Sequence, residues 1–119
     1  FDDVTYEGKR HVIGQSNNVF IFPGVGLGAI VSNTREITDE MFLTAAQTLA
    51  SCVSEERLTL GAIFPSVDDL REVSFRIACA LVRSVRDAHL VRVIPDDEIE
   101  ATARSAMWHP SYIPILAQR

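Results

Sequence analysis

Two short stretches hold the residue types and spacings that could do chemistry. The first is Gln15-Ser16-Asn17-Asn18, four polar side chains in a row. Asn17 and Asn18 are the sharper pair, because an amide can donate to a carboxylate or hydroxyl without adding charge. Either could instead cap a short helical turn, which is the commoner use of asparagine before an apolar run. The second is Gly24-Val25-Gly26-Leu27-Gly28-Ala29, which satisfies the pattern G-x-G-x-x-[GA]. In a dinucleotide site those glycines let backbone amides cradle a pyrophosphate at a helix N-terminus. That pattern needs a strand running directly into the turn, inside a βαβ unit. Here Pro23 sits at the junction, and the chain continues as helix after helix. The better reading is that Gly24 and Gly28, four apart on one helical face, let a helix approach its neighbour closely.

The other polar residues do not assemble by spacing. His11, His89 and His109 are scattered, with no Ser, Cys or carboxylate at catalytic separation. Asp68-Asp69 and Asp96-Asp97-Glu98 sit at predicted helix starts, where capping and the macrodipole explain them without a metal. Cys52 and Cys79 lie in apolar segments and read as reduced core residues, and no Cys/His spacing resembles a zinc site. No catalytic residue and no metal ligand is therefore assigned in this chain.

The elements that must position Asn17 and Asn18 are mainly helical. Residues 1–16 carry weak alternation around Val4-Thr5-Tyr6 and His11-Val12-Ile13, with a turn at Glu7-Gly8-Lys9, so a short extended lead-in or hairpin is expected. Pro23 opens a helix near its first position. Thr38 is an N-cap with Asp39 and Glu40 in the first turn, and Ile37 and Phe42 are spaced as a hydrophobic staple. Phe42, Ala45, Ala46, Leu49 and Val53 follow at helical spacing. A short helix over Ser54 to Leu58 should end near Gly61. Ser66 opens a long one, whose stripe of Leu70, Val73, Ile77, Leu81 and Val85 is widened by Phe75, Ala78 and Val82; it should be buried on more than one side. Pro95 starts a last helix ending near Trp108, stopped by His109-Pro110. Trp108 and Tyr112 read as an anchor for a tail that includes Pro114. The expected organisation is a lead-in over 1–16, a helical core over 17–92, and a C-terminal helix and tail over 93–119. About four helices pack around Phe42, Leu49, Leu70, Ile77 and Leu81.

Composition limits the partners. Net charge is −5 over 119 residues, and Arg76, Arg83, Arg86 and Arg92 are spread among acids, so a nucleic-acid face is not expected. Apolar residues make up 47%, enough for a core, yet no apolar run reaches the roughly 18 residues that cross a bilayer. No membrane partner is expected, and the reduced cysteines favour a cytoplasmic setting. The chain opens at Phe1 rather than Met, which fits an excised or processed piece.

The run Ile13-Gly14-Gln15-Ser16-Asn17-Asn18-Val19-Phe20-Ile21-Phe22-Pro23-Gly24 resembles the Gly-Gln-x-Asn-Asn segment and following Phe-Pro-Gly of the malic enzyme family. Thr38-Asp39-Glu40-Met41-Phe42 is similar to the family's next helix start. Leu70-Arg71-Glu72-Val73-Ser74 with Ile77-Ala78 is similar to a later one. Arg104 to Trp108, then Pro110 and Tyr112, resemble its closing segment. The similarity runs through nearly the whole chain in the expected order.

This resemblance implies the C-terminal part of the α/β NAD(P)-binding region of a malic enzyme. Such enzymes oxidatively decarboxylate malate to pyruvate and CO2, reduce NAD or NADP, and use Mg2+ or Mn2+. By resemblance, Asn17 contacts malate and Asn18 lies beside the same pocket. In the family the glycines from Gly24 to Gly28 are helical, while the catalytic tyrosine and lysine, the metal ligands and the pyrophosphate loop belong to sequence upstream of Phe1. The chain alone is then expected to be inactive, to need the remainder of the enzyme, and to self-associate as a homo-oligomer through apolar surface left uncovered. Malolactic enzymes share the asparagine segment, so a malolactic fragment is one alternative. A non-enzymatic helical interaction domain, or a small nucleotide-binding module using Gly24 to Ala29, are others.

Overall fold

The computed structural model describes residues 2–87 and 93–112. Strand β1 (Val4–Tyr6) pairs antiparallel with β2 (Lys9–His11), Val4 opposite His11 and Tyr6 opposite Lys9. Glu7 and Gly8 both take positive φ, 49° and 75°, the two-residue turn that matches the twist of a hairpin. Asp3 and Arg10 form an ion pair beside it. The chain then bonds to the body of the molecule through the Val12 N–H, which donates to the Leu60 carbonyl at 3.1 Å.

Among the described residues there are five α-helices: α1 (Phe22–Ser32), α2 (Asp39–Ser51), α3 (Glu55–Thr59), α4 (Leu70–Asp87) and α5 (Asp96–Ala106). The expected mainly α fold stands. Thr38 and Ser66 stand at helix starts as read from sequence, accepting from the Met41 and Asp68 amides; Ser54, expected within the short helix, instead caps it by accepting from the Arg57 amide. Ser66 first caps a 3-10 turn over Val67–Asp69, which leads into α4. Helix α1 ends on Asn33 in the left-handed region (φ 55°, ψ 37°), a conformation asparagine tolerates at helix C-termini. Helix α5 stops at Ala106, two residues before the expected Trp108.

Helix α4 is the axis of the fold, buried on two sides as its wide apolar stripe predicts. One side, Val73, Ile77, Leu81 and Val85, packs with Phe20, Val25, Met41, Ala45 and Leu49. The other, Phe75, Cys79 and Val82, packs with Val31, Ile94, Ile99 and Ala103. The glycines of α1 make the closest approach. A Cβ built on Gly24 would lie 2.7 Å from the Ile77 Cβ and 2.9 Å from the Ser74 carbonyl oxygen. One on Gly28 would lie 2.9 Å from the Leu81 Cβ and 3.3 Å from the Ala78 Cα. Gly26 meets nothing within 4 Å.

The expected core needs correction at Phe42, which is 40% exposed; Leu49, Ile77 and Leu81 are buried and Leu70 is half-buried. The buried seam of α2 is Met41, Ala45 and Leu49, one residue earlier than Phe42 and Ala46. Both phases have helical spacing, and α2 turns the slimmer Met41 into the narrow seam against α4. Phe42 instead meets the exposed Phe22 edge-on, 6.4 Å between centroids. Ile37 is exposed as well, so no buried staple forms there. Trp108 and Tyr112 are no buried anchor either, since both are exposed; the backbone near Trp108 is held by Arg71 instead. Pro114, His89 and Arg92 lie outside the described residues.

Candidate functional site

Asn17 has extended backbone (φ −148°, ψ 142°) and caps a 3-10 turn over Asn18–Phe20. Its Oδ1 accepts from the Val19 N–H at 2.9 Å. Only the oxygen of an amide can accept that proton, so the hydrogen bond also fixes which way the amide faces and leaves Nδ2 as a donor to something else. The turn itself is pinned from beneath by Phe20, which is fully buried and lies 5.9 Å from the Phe64 ring. Pro23 in the first turn of α1 then ends any continuation of the 3-10 turn and starts the helix.

Asn17 and Asn18 stand at a groove of about 390 Å³. Ser16 joins them, while Ile21, Leu49, Ile63 and Phe64 form apolar walls and Ala46 and Ala50 of α2 leave room on its far side. The Asn18 side chain makes no hydrogen bond to another described residue. The opposite wall is steadied by Arg57, whose Nε donates to the Phe64 carbonyl at 2.9 Å. An apolar groove with two or three convergent polar groups is the usual build of a small-molecule site. The two amides were legible in the sequence. The walls at Ala46, Ala50, Ile63 and Phe64 were not; the i, i+4 alanine pair on α2 was the one signal that could have suggested an open face.

The other polar residues stay apart. His11 is half-buried, with Nδ1 near Gly61, and His109 Nδ1 meets Arg71 Nη2 at 3.3 Å. Asp68-Asp69 and Asp96-Asp97-Glu98 occupy first turns, as expected of capping acids. Asp96 also accepts an ion pair from Arg86 at 2.9 Å. Among the described residues no three His, Cys, Asp or Glu side chains gather to hold a metal. Cys52 and Cys79 are free thiols, each pushed above its ordinary pKa by burial. Nor does the glycine run fit a pyrophosphate cradle. Its lead-in is a 3-10 turn rather than a strand, and Gly24 and Gly28 are closed off against α4.

The described residues thus form a helical body with a groove whose lining joins Ser16, Asn17 and Asn18 to apolar walls. The family model described as "Malic enzyme, NAD binding domain" matches residues 1–86. An NADP-dependent malic enzyme of Dictyostelium discoideum is 41% identical over 112 residues, covering 94% of this chain and 21% of that protein. A chloroplastic NADP-dependent malic enzyme of Oryza sativa subsp. japonica is 40% identical over 113 residues, 94% of this chain and 18% of its own. NAD-dependent malic enzyme 1 of Vibrio vulnificus strain YJ016 is 36% identical over 112 residues, again 94% of this chain and 20% of its own. The chain belongs to the malic enzyme family, and it spans about a fifth of the length of these relatives.

Proposed function

We propose that this chain supplies one wall of the malate pocket in an enzyme that oxidatively decarboxylates malate to pyruvate and CO2. The observation that carries the reading is the hydrogen bond from Val19 to Asn17, which commits the oxygen of the Asn17 amide and leaves its NH2 for a carboxylate or hydroxyl. Asn18, at the same groove and without a side-chain hydrogen bond among the described residues, is the second donor. Malate carries both acceptor types. Two neutral donors on a turn pinned by Phe20 would hold it in one orientation, which is worth rate when a C–H bond must face an acceptor.

In this reading NAD or NADP, and Mg2+ or Mn2+, are held by parts of the enzyme outside this chain. The relatives include enzymes named for each nucleotide. The chain on its own is inactive and requires the remainder of the enzyme. The division into a lead-in over 1–16, a core over 17–92, and a helix with tail over 93–119 belongs to the same proposal, as does a cytoplasmic location. No helix among the described residues is long and apolar enough to cross a membrane. Exposed apolar side chains, Phe22, Ile30 and Phe42 among them, support self-association of the chain into a homo-oligomer. The test is malate-dependent NAD(P)H formation by the enzyme containing this chain, with Mn2+ and with Asn17 substituted. Lactate as the product would move the assignment to a malolactic enzyme.

A further inference from the structure

A second pocket, of about 290 Å³, opens between α1, α4 and the end of α5. Its walls are apolar, chiefly Val19, Leu27, Leu70, Met107 and the exposed indole of Trp108. Two polar residues interrupt them, both from α4. Ser74 is buried, and its hydroxyl has no hydrogen-bond partner among the described residues. Arg71 uses Nη2 alone to bond the Trp108 carbonyl at 3.2 Å and to meet His109 Nδ1 at 3.3 Å. Among the described residues its remaining N–H groups have no partner, and no carboxylate pairs with it. The neighbouring Glu72 is drawn away to Arg104.

A guanidinium with no carboxylate partner among the described residues, oriented by its own hydrogen bonds at the edge of an apolar pocket, selects for a carboxylate attached to an apolar body. The volume lies at the small end of ligand pockets, about 300–1,000 Å³, which limits that body to roughly one ring or a short branched chain. Val19 links this pocket to the asparagine groove. It lines the pocket, and its backbone N–H holds the Asn17 amide.

We propose that this pocket binds a small amphipathic monocarboxylate, with the apolar body against Leu27, Met107 and Trp108 and the carboxylate on Arg71 and Ser74, and that occupancy is felt at Asn17 through Val19. Only the consequence for turnover rests on the malate reading; the binding does not. The test is titration of the 15N-labelled 119-residue chain with 3-phenylpropionate, followed by NMR, beside the uncharged 3-phenylpropanamide. The expected result is saturable shifts at the Leu27 and Ser74 amides, the Trp108 indole N–H and the Asn17 side-chain NH2. The acid should bind at least tenfold more tightly than the amide, and Arg71→Gln should abolish that preference. The comparison of acid with amide on the unaltered chain does not depend on the variant folding. Equal affinity for the two, or no saturable shift, would overturn the site. Saturation that leaves the Asn17 NH2 unmoved would overturn the link through Val19. Because no turnover is measured, either failure leaves the malate reading standing.

Discussion

The Val19 N–H and the Asn17 Oδ1 lie 2.9 Å apart, so one side chain both caps a turn and is aimed by the cap. The two roles separate by substitution. Aspartate caps about as well as asparagine, whereas alanine loses about 1 kcal/mol at an N-cap. Thermal unfolding of the chain should therefore find Asn17→Asp close to wild type and Asn17→Ala lower by that amount. Equal stability of all three would mean that the cap does not orient the amide.

The glycines of α1 divide into two kinds. Gly24→Ala and Gly28→Ala each force a Cβ to within 3 Å of α4 and should destabilise by about 1–3 kcal/mol or more through overpacking. Gly26→Ala meets open space in a helix interior and should stabilise by roughly 0.5–1 kcal/mol. Denaturant midpoints of the three variants check this, and a uniform response would contradict the α1–α4 contact. The same contact explains why the G-x-G-x-x-[GA] match misleads. The pattern records small residues, and a helix crossing uses them as readily as a phosphate does.

Burial raises both thiol pKa values, so the folded chain holds those protons at pH where the unfolded chain releases them. The stability they contribute is complete below the ordinary thiol value of 9.0 and is lost as pH rises past it. Unfolding midpoints should fall on the alkaline side, and less steeply in a Cys52→Ala, Cys79→Ala double variant. In alkylation at neutral pH, half-buried Cys52 should react before Cys79, which is 3% exposed. Mass spectrometry of peptides from a timed iodoacetamide reaction would reverse the order if Cys79 were the accessible thiol.

Phe22, Ile30 and Phe42 leave apolar surface on α1 and α2 without a cover among the described residues. Light scattering of the isolated chain should give a mass above 13.2 kDa that falls on dilution. Phe42→Glu, at an exposed position outside the core, should shift the chain toward monomer without unfolding it. A monodisperse monomer at high concentration would contradict the homo-oligomer.

Local signals carried most of the helical architecture. Thr38 and Ser66 cap where their types and following acids predict, because capping is decided within four residues. The wide stripe of α4 revealed a helix buried on two sides. Phases within one helix were less legible. Met41 and Phe42 lie 100° apart on α2, and only the position of α4 decides between them. Trp108 failed as an anchor for a related reason, since an aromatic near a chain end says nothing about what lies beneath it. At the site, the asparagine pair stands out by its residue types. Ile63 and Phe64 arrive from a segment some 45 residues on, folded back by α3 and the Arg57 bond to the Phe64 carbonyl, and no local pattern reports that return.

The central claim is that Asn17 orients malate, and Asn17→Asp tests it most directly because the cap survives while the donor becomes an anion. The measurement is kcat/KM for malate in the enzyme containing this chain, with Mn2+ and NAD or NADP. The account predicts turnover by wild type and a loss of about 100-fold or more in Asn17→Asp, the scale expected when a donor to the substrate is replaced by a like charge facing a dianion. Wild-type turnover that Asn17→Asp leaves unchanged would contradict it.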